Sequence, residues 1–311
     1  MLLLSDPLLA VRVQPQTLSL YRSSVSSFVS WVVSSGLPLC SADDLDGLLI
    51  LFRRDHSLSK SAFSVLLAAL EFSTPPLKRL LPWSRAVLAG LTSTHKVKHT
   101  FPLGWPQAVL LAVELAATGL PVAGLCLLVQ QEAGLRPSEV LRLEKEDVLF
   151  GTVGSQLPRG QALLRLGKAV NTKIGREQCG TVLNSDLVAL LAQRVRLARS
   201  RLFPFSYEKY RQLIRFAEAR RGWTWGFTPH SPRAGFVSDN LARGCQPNQI
   251  QERGRWASWT SFRTYADQVA ALAVSLHHPE ELLLSTAAWK CRDVYFAQLD
   301  DSCTVVGKKT G

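Results

Sequence analysis

The stretch "HSPRAG", residues 230–235, places a histidine and an arginine where a helix is expected to begin. Serine is a good N-cap and proline suits the first helical position, so Ser231 is the predicted cap of a helix, with His230 just before it and Arg233 in its first turn. A cation is disfavoured at the positive end of a helix dipole, but an anion bound there would remove the conflict. The pattern therefore indicates a phosphate-binding site, and the alternative is a surface turn with two exposed basic side chains.

A second stretch, "GLRPSEVLRLEKEDV", has a related pattern over residues 134–148. Arg136 precedes Pro137, which again marks the start of a helix. Glu139 lies one turn further on, where its carboxylate can pair with Arg136 or orient it. An ordinary amphipathic helix that carries a surface arginine is the alternative interpretation.

The charge of the chain points to a polyanionic partner. The 311 residues carry a formal net charge of +12, from 36 basic and 24 acidic side chains. Because the basic residues are spread along the chain, they favour a folded basic surface over a disordered tail. Hydrophobic residues make up 47% of the sequence, which is enough to build the cores of about two domains.

Several classes of protein are disfavoured by the sequence. The six cysteines include no Cys-x-x-Cys pair, so neither a disulfide framework nor a zinc finger is expected. The apolar N-terminus lacks a basic segment and is broken by Asp6 and Pro7, unlike a signal peptide. The apolar stretch 108–129 is interrupted by Glu114 and Pro121, so it predicts two buried core helices rather than a membrane span.

Hydrophobic periodicity and turn residues divide the chain into four parts. Residues 1–95 show helical spacing and predict an all-helical domain, and residues 96–106 are polar, basic and broken by prolines, as in a linker. Residues 107–290 combine helical patterns with three short strand-like segments, "LEKEDVLF", "ALLRLG" and "QCGTVLN". Residues 291–311 have no clear period. We therefore predict a mainly α protein with one small antiparallel β-sheet, in which the second domain is α+β.

Basic side chains of the helical domain and the linker are candidates for contact with DNA phosphates. This set comprises Arg53, Arg54, Lys60, Lys78, Arg79, Lys96 and Lys98. A solvated helix face is the alternative for these residues.

Together these stretches resemble the tyrosine recombinase (phage integrase) superfamily. "GLRPSEVLRL…EDV" is similar to its first arginine box, "HSPRAG" to its His-x-x-Arg box and "GRWASWTSFRTYAD" to its closing box. In that closing box a histidine or tryptophan precedes the nucleophilic tyrosine by nine positions, as Trp256 precedes Tyr265. "TLSLYRSSVSSFVSWV" is similar to the opening helix of the family's core-binding domain. Each motif alone is weak, but their order and spacing make the resemblance specific.

The sequence also departs from the common family pattern. Pro232 stands where the family often has leucine or phenylalanine, and Ala234 where it often has a second basic residue. Trp256 replaces the commoner histidine, a variant that the family shows. The Ser-x-Arg-x-Gly sequence of residues 231–235 is similar to versions of the motif in eukaryotic mobile elements. These departures bear on the subfamily more than on the chemistry.

The resemblance implies an N-terminal helical core-binding domain that clamps DNA and an α+β catalytic domain. It implies that Tyr265 attacks a phosphodiester of double-stranded DNA, giving a 3′-phosphotyrosine and a free 5′-hydroxyl, and that a second 5′-hydroxyl reverses the step. Arg136 and Arg233 would hold the nonbridging oxygens of the transition state. His230 and the indole N–H of Trp256 would add hydrogen bonds. The implied function is that of a site-specific DNA recombinase or integrase.

The leaving 5′-alkoxide needs a proton, which a lysine on a strand turn supplies in this family. Lys173 in "NTKIGRE" is the first candidate for this general acid, and Lys168 is the second. Glu139 would position Arg136 rather than act as a base. No cofactor is expected, because transesterification conserves bond energy, and no metal is expected, because the sequence has no acidic cluster of the two-metal type.

Strand exchange needs several protomers, so the resemblance implies a homo-oligomer on DNA, a tetramer. An apolar stripe near the C-terminus is the candidate contact, with packing on the chain's own core as the alternative; its members are Leu272, Leu276, Leu282 and Leu283. We expect the protein in the nucleus of a eukaryotic host, and otherwise in the cytoplasm or nucleoid, without secretion or membrane attachment.

Three other functions stay open at this point. A catalytically inactive DNA-binding protein derived from a recombinase would keep the fold, although the intact set of candidate residues argues against it. A type IB topoisomerase-like enzyme would use the same chemistry without a partner site, but the separate helical domain fits a recombinase better. A helical regulator unrelated to DNA would leave both the positive charge and the ordered motifs unexplained.

Overall fold

The computed structural model describes residues 13–94, 100–153, 156–167, 178–272 and 279–300, without the side chains of 267–272 and 279. The chain divides into two compact units, Met1–Lys98 and His99–Gly311. The predicted fold class, mainly α with a small antiparallel sheet, is confirmed.

The described part of the first unit is helical. Its helices are α1 (Pro15–Ser35), α2 (Ala42–Asp55), α3 (Lys60–Ser73), α4 (Leu77–Leu80) and α5 (Pro82–Thr94). Helix α2 begins with a capping box, in which the Ser41 hydroxyl accepts from the Asp44 N–H and the Asp44 carboxylate accepts from the Ser41 N–H. Helix α1 ends at Gly36, which has a φ of 65° that glycine adopts easily.

A buried carboxylate organises the packing of the first unit. Asp46 on α2 is 1% exposed and accepts hydrogen bonds from the backbone N–H groups of Trp83 and Ser84, each at 2.8 Å. These N–H groups belong to the first turn of α5, which has no intrahelical acceptor for them. Asp46 therefore fixes the start of α5 against α2, beside an aromatic core that includes Phe28 and Phe52.

The second unit contains helices around a small sheet. Its elements are α6 (Trp105–Ala117), α7 (Pro121–Glu132), α8 (Pro137–Val140), a 3-10 turn (Lys145–Asp147), β1 (Val148–Phe150), β2 (Ala162–Arg165), β3 (Cys179–Val182), α9 (Ser185–Leu197), α10 (Tyr207–Arg220), α11 (Ser231–Ala242), α12 (Pro247–Arg253), α13 (Trp259–Leu272), α14 (Pro279–Lys290) and α15 (Arg292–Tyr295).

Helices α6 and α7 form the centre of the second unit. Every residue of α7 from Pro121 to Gln131 is buried. The two helices approach so closely that a Cβ on Gly124 would lie 2.5 Å from the carbonyl oxygen of Ala112. The prediction of two core helices over 108–129 is confirmed. Within the described residues, no helix is long and apolar enough to cross a membrane.

The three strands pair antiparallel in the order β1-β2-β3. Leu149 pairs with Leu163, and Leu163 pairs with Thr181. The first strand is shorter than predicted, because residues 145–147 of "LEKEDVLF" form the 3-10 turn. Strand β2 ends at Arg165, before Lys168, which lies outside the described residues.

The predicted domain boundaries differ from the structure at two places. Within the predicted linker 96–106, α6 already begins at Trp105, and Leu103 is fully buried. Within the predicted tail 291–311, Phe296 and Leu299 are fully buried in the second unit. The buried Arg194 fixes this segment, because its guanidinium donates to the carbonyl oxygen of Leu299 at 2.9 Å.

Candidate active site

Helix α11 positions the His-x-x-Arg pair. His230 is its N-cap residue, one position earlier than the predicted Ser231 cap. The reason is a turn before the helix, in which the Ser231 hydroxyl accepts from the Thr228 N–H at 2.9 Å. Arg233 lies in the first turn of the helix, as predicted. A Cβ on Gly235 would collide with the carbonyl of Leu103, so the helix start packs directly on the segment before α6.

Arg233 is 1% exposed and is held by three groups. One terminal nitrogen donates to the carbonyl oxygen of Gly134, and the other donates to that of Gly254 at 2.5 Å. The guanidinium also lies over the ring of Trp256. Since a guanidinium has five N–H donors, two carbonyl bonds fix its plane and leave three donors for other partners.

Arg136 lies directly before α8 and is paired with Glu139. Its Nη1 is 2.6 Å from Oε1 of Glu139, and its backbone N–H donates to Oε2 at 2.7 Å. The Arg136 side chain is 40% exposed, whereas that of Glu139 is 11% exposed. The predicted pairing is confirmed, and it leaves the guanidinium accessible from solvent.

A third arginine, Arg255, joins this cluster and was not among the predicted residues. Its Nη2 donates to Oε2 of Glu139 at 3.0 Å and to the carbonyl oxygen of Gly134 at 3.2 Å. Its side chain is 7% exposed. Arg255 lies in the turn between α12 and α13, and its place inside the closing-box stretch, next to Trp256, is the signal in the sequence that points to it.

The backbone turn at Gly134 connects these arginines. Gly134 has a φ of 56°, and a Cβ there would lie 2.8 Å from Cδ1 of Phe236 on α11. Its carbonyl oxygen accepts from both Arg233 and Arg255. Because only glycine fits this left-handed position without strain, the glycine fixes the path of the chain into Arg136.

Trp256 and Tyr265 lie on the other side of Arg233. Trp256 is 7% exposed, and Gly254 leaves no room for a Cβ because the indole packs directly against it. The rings of Trp256 and Tyr265 meet edge to face, with centroids 5.3 Å apart. Tyr265 is partly buried on α13 and interacts electrostatically with Arg233. The structure therefore gathers Arg136, Arg233, Trp256 and Tyr265 with His230 at the helix start.

Burial is the largest influence on the pKa values of this cluster. It lowers the pKa of Arg233, and the charge of Arg136 lowers it further. Burial, with Arg233 and Arg136, lowers the pKa of His230 below its ordinary 6.5, so the imidazole is neutral at neutral pH. Burial would raise the pKa of Glu139, but Arg255, the Arg136 N–H and the Arg136 guanidinium outweigh it, and that pKa is lowered. Three guanidinium groups thus face one carboxylate among the described residues, an excess of positive charge suited to an anion.

The two candidate general acids, Lys168 and Lys173, lie outside the described residues. The strand ends that flank them lie beside the cluster. A Cβ on Gly180, in β3, would lie 3.5 Å from Nη1 of Arg255 and 3.5 Å from Leu166, which follows β2.

The predicted DNA contacts belong to the first unit. Arg54, Lys78 and Arg79 are exposed, and Arg53 and Lys60 are partly buried. Lys96 and Lys98 lie outside the described residues. In the part of the chain that the structure describes, no group of histidine, cysteine or acidic residues is arranged to hold a metal ion.

No protein-family model matches the chain, and no curated protein matches it. Solved structures do match. A lambda integrase dimer bound to a COC′ core site is 14% identical, with 81% of this chain and 72% of that chain covered and a TM-score of 0.51. XerA recombinase is 18% identical, with 86% and 94% covered and a TM-score of 0.43. XerH site-specific recombinase bound to difH substrate is 14% identical, with 83% and 94% covered and a TM-score of 0.40. The likeness to lambda integrase shows that the chain has the fold of the tyrosine recombinases.

Proposed function

We propose that the protein is a site-specific DNA recombinase or integrase that cleaves and rejoins double-stranded DNA through a 3′-phosphotyrosine at Tyr265. One observation carries this proposal. The guanidinium of Arg233 bonds to the carbonyl of Gly134, in the turn that leads into Arg136, and to that of Gly254, in the turn that leads into Trp256. Three motifs that are far apart in the sequence thus meet at one arginine.

In the proposed reaction the Tyr265 hydroxyl oxygen attacks the phosphorus of a DNA phosphodiester. The bond from phosphorus to the 5′-oxygen breaks as the bond to the tyrosine oxygen forms. The phenolic proton leaves to solvent or a base, and the 5′-oxygen takes a proton from the general acid, Lys173 in our proposal. A 5′-hydroxyl of another strand then attacks the phosphotyrosine, which restores the phosphodiester and the free tyrosine.

The arginine cluster suits the charge that develops in this reaction. The transition state carries extra negative charge on the nonbridging oxygens, and fixed donors stabilise it without reorganisation. Arg136 offers a half-exposed guanidinium whose direction is set by Glu139. Arg233 offers the three donors that its carbonyl partners leave, and neutral His230 can donate a hydrogen bond. Bidentate contact by arginine gives both strength and geometry.

The proposed partners are double-stranded DNA and further copies of the chain. The net charge of +12 favours DNA, and the exposed basic residues of α2 and α4 are candidates for phosphate contact. A tetramer on paired sites is the assembly that strand exchange would require. Such an enzyme acts where DNA is kept, in the nucleus of a eukaryotic host or otherwise in the nucleoid, and a mobile element is the proposed source.

The test is covalent capture of DNA. The full chain is incubated with a pool of duplexes that carry a nick near randomised sequence, so that cleavage releases a short fragment and traps the adduct. Adducts that survive denaturation are recovered and sequenced. We expect adducts with the wild-type chain and with Tyr207→Phe, a control on α10 whose side chain is 47% exposed. We expect none with Tyr265→Phe, which should bind DNA as well as the wild type.

The other outcomes separate the alternative functions. Adducts that persist in Tyr265→Phe would mean that another tyrosine is the nucleophile. DNA binding by a wild-type chain that forms no adduct would indicate a catalytically inactive DNA-binding protein. Adducts without a preferred sequence, together with relaxation of supercoiled plasmid, would indicate a type IB topoisomerase-like enzyme.

A further inference from the structure

Arg255 is not among the groups that contact DNA in the proposed reaction. It contacts the partners of both other arginines in the cluster. Its Nη2 donates at 3.0 Å to the Glu139 carboxylate that holds Arg136. The same Nη2 donates at 3.2 Å to the Gly134 carbonyl that holds Arg233. Arg255 therefore bonds to the groups that hold the two other arginines, and its own side chain is 7% exposed.

The Glu139 carboxylate divides its two oxygens between the arginines. Oε1 accepts from Nη1 of Arg136, and Oε2 accepts from the Arg136 N–H and from Arg255. A carboxylate with one partner can rotate and follow a mobile side chain, whereas one held from two sides has a fixed plane. Arg255 therefore restricts the direction in which Glu139 presents the half-exposed guanidinium of Arg136.

The charge of Arg255 also keeps Glu139 ionised. Among the groups that favour the carboxylate against its burial, Arg255 contributes most, followed by the Arg136 N–H, the Arg136 guanidinium and then Arg233. A protonated Glu139 would lose one acceptor site and its attraction for Arg136. Arg255 is thus needed for both the geometry and the charge of this pair.

The backbone of Arg255 is in an unfavourable conformation for an arginine. Its φ is 60°, in the left-handed region that glycine adopts without strain. A glycine would suit this backbone better, so the contacts of the side chain must offset the conformational cost. This makes Arg255→Gly an informative variant, because it removes the guanidinium and relieves the backbone at once.

We propose that Arg255 is a positioning residue of the phosphate site: through Glu139 and the Gly134 carbonyl it holds Arg136 and Arg233 in the geometry that binds an oxyanion. This inference rests on the proposed function, because the oxyanion would be the scissile phosphate of DNA. Binding of an oxyanion by the two arginines can nevertheless be measured without any DNA cleavage.

The first experiment measures orthovanadate binding to the full chain by calorimetry. We expect Arg136→Ala and Arg255→Gly to lower the affinity each by about tenfold or more, since small displacements of a binding group have effects of that size. The affinity of Arg255→Lys should lie between those of the wild type and Arg255→Gly, because lysine keeps the positive charge but lacks the planar guanidinium. The control is Arg253→Gln, a nearby cation that bonds to Asn240 and not to Glu139, and it should keep the wild-type affinity.

Thermal unfolding of the same variants separates positioning from folding. Arg255→Gly should melt at or near the wild-type temperature, because the relieved backbone offsets the lost contacts. Vanadate affinity that stays at the wild-type level in Arg255→Gly would overturn the proposal. A wild-type chain that binds no orthovanadate would refute the phosphate site itself, and the role of Arg255 with it.

The second experiment uses a DNA duplex recovered by covalent capture. It compares cleavage of the ordinary phosphodiester with cleavage of a methylphosphonate at the same linkage, which lacks one negative nonbridging oxygen. If Arg255 acts through Arg136 and Arg233, the loss of cleavage rate caused by Arg255→Gly should be about tenfold smaller on the methylphosphonate. That linkage is neutral, so the two arginines have less negative charge to stabilise in the transition state. An equal defect on both linkages would contradict this. If the wild type cleaves no DNA, the proposed function fails while the vanadate result still decides the role of Arg255.

Discussion

The guanidinium of Arg233 lies over the indole of Trp256, with its central carbon 4.0 Å from the ring centroid. In this buried setting a cation–π contact stabilises by about 2 kcal/mol. The same indole meets the Tyr265 ring edge to face at 5.3 Å. Trp256 therefore lies between a phosphate-binding candidate and the candidate nucleophile, and it supports both through its ring.

The first prediction concerns which part of Trp256 matters. Trp256→Phe keeps an aromatic face under Arg233 and removes the indole N–H, so we expect cleavage to fall by about tenfold. Trp256→Ala removes the face as well and should destabilise the fold by about 3–5 kcal/mol, as expected for a buried tryptophan. Rates of adduct formation and urea unfolding measure these effects. Equal losses of cleavage in the two variants, once folding is accounted for, would show that the N–H is the essential group.

The second prediction is that loss of Arg136 and loss of Arg233 have different effects on the free energy of unfolding. Arg136→Ala and Arg233→Ala should each slow cleavage by about 10²–10³-fold, the usual cost of one transition-state donor. Arg136 is half-exposed and paired at the surface, so its loss should cost less than about 1 kcal/mol of unfolding free energy. Arg233 is 1% exposed, and its loss leaves buried carbonyls without that donor, at a cost of about 3 kcal/mol. Equal unfolding free energies for the two variants would contradict the burial difference seen here.

The motifs predicted the residues of the candidate site better than they predicted the residues that hold those side chains in place. Arg136, Glu139 and Arg233 could be located because a Ser-Pro or Arg-Pro step marks a helix start, and such signals are local. The position of Arg255 beside Trp256 points to the residue but not to its role, because that role depends on a left-handed φ and on a carboxylate 116 positions away, and neither is a local property. The turn at Gly134 depends on Phe236 in the same way.

The strands show the same limit for the fold. Short apolar segments between turn residues predicted that three strands exist, but they did not predict where each strand begins and ends. The segment "LEKED" has a mixed pattern of apolar and charged residues that is compatible with either a 3-10 turn or a strand. Which of the two forms depends on pairing with β2, which is not a local property of the sequence. Likewise, Phe296 and Leu299 are buried in a segment that is held by a hydrogen bond from Arg194, 105 positions earlier, to the Leu299 carbonyl oxygen.

The third prediction follows from a buried carboxyl behind α11. Asp239 accepts from the Trp105 N–H at 2.7 Å and from Gln131. Burial raises its pKa from 3.8 to about 7, although the Trp105 N–H and Arg243 oppose the rise. Between about pH 4 and 7 the folded chain therefore holds a proton that the unfolded chain releases, so stability falls as the pH rises through this window and is level above it.

The size of this effect can be measured with an isosteric variant. From about pH 5 to 8 the wild type should lose about 3 kcal/mol of unfolding free energy through Asp239, and Asp239→Asn should lack this loss. Asp293→Asn is the control, since that side chain is 82% exposed and should leave the wild-type slope unchanged. Urea unfolding at the two pH values provides the comparison. A wild-type slope in Asp239→Asn would mean that another group titrates.

The fourth prediction concerns assembly on DNA. Of the predicted apolar stripe, Leu282 and Leu283 on α14 are 58% and 72% exposed, so the described part of their own chain leaves these two side chains uncovered. The Leu272 side chain and Leu276 lie outside the described residues. Leu283→Glu should therefore leave binding of one protomer to DNA intact and reduce multimeric complexes by about tenfold, as for the loss of an interface anchor. Electrophoretic mobility at rising protein concentration measures both, and unchanged multimer formation would remove α14 from the proposed interface.

The last prediction tests the general acid, which stays a hypothesis from the sequence. Lys173 and Lys168 lie between β2 and β3, and the flanking Gly180 lies beside Arg255, so either lysine belongs to a segment that starts and ends next to the arginine cluster. A 5′-hydroxyl leaves only with a proton, whereas a thiol of pKa about 8.5 leaves as the thiolate. Lys173→Ala should therefore cleave ordinary DNA slowly, by about 10²–10³-fold, yet cleave DNA with sulfur at the bridging 5′ position at nearly the wild-type rate.

Lys168→Ala is the matched control for that experiment. Both variants remove one positive charge from the same connection between β2 and β3, so a general effect of charge on DNA binding would slow both, on both substrates. Rescue by sulfur isolates proton transfer, because it changes only the basicity of the leaving atom. Rescue in Lys168→Ala alone would assign the acid to Lys168. Rescue in neither would mean that the proton comes from elsewhere in the site.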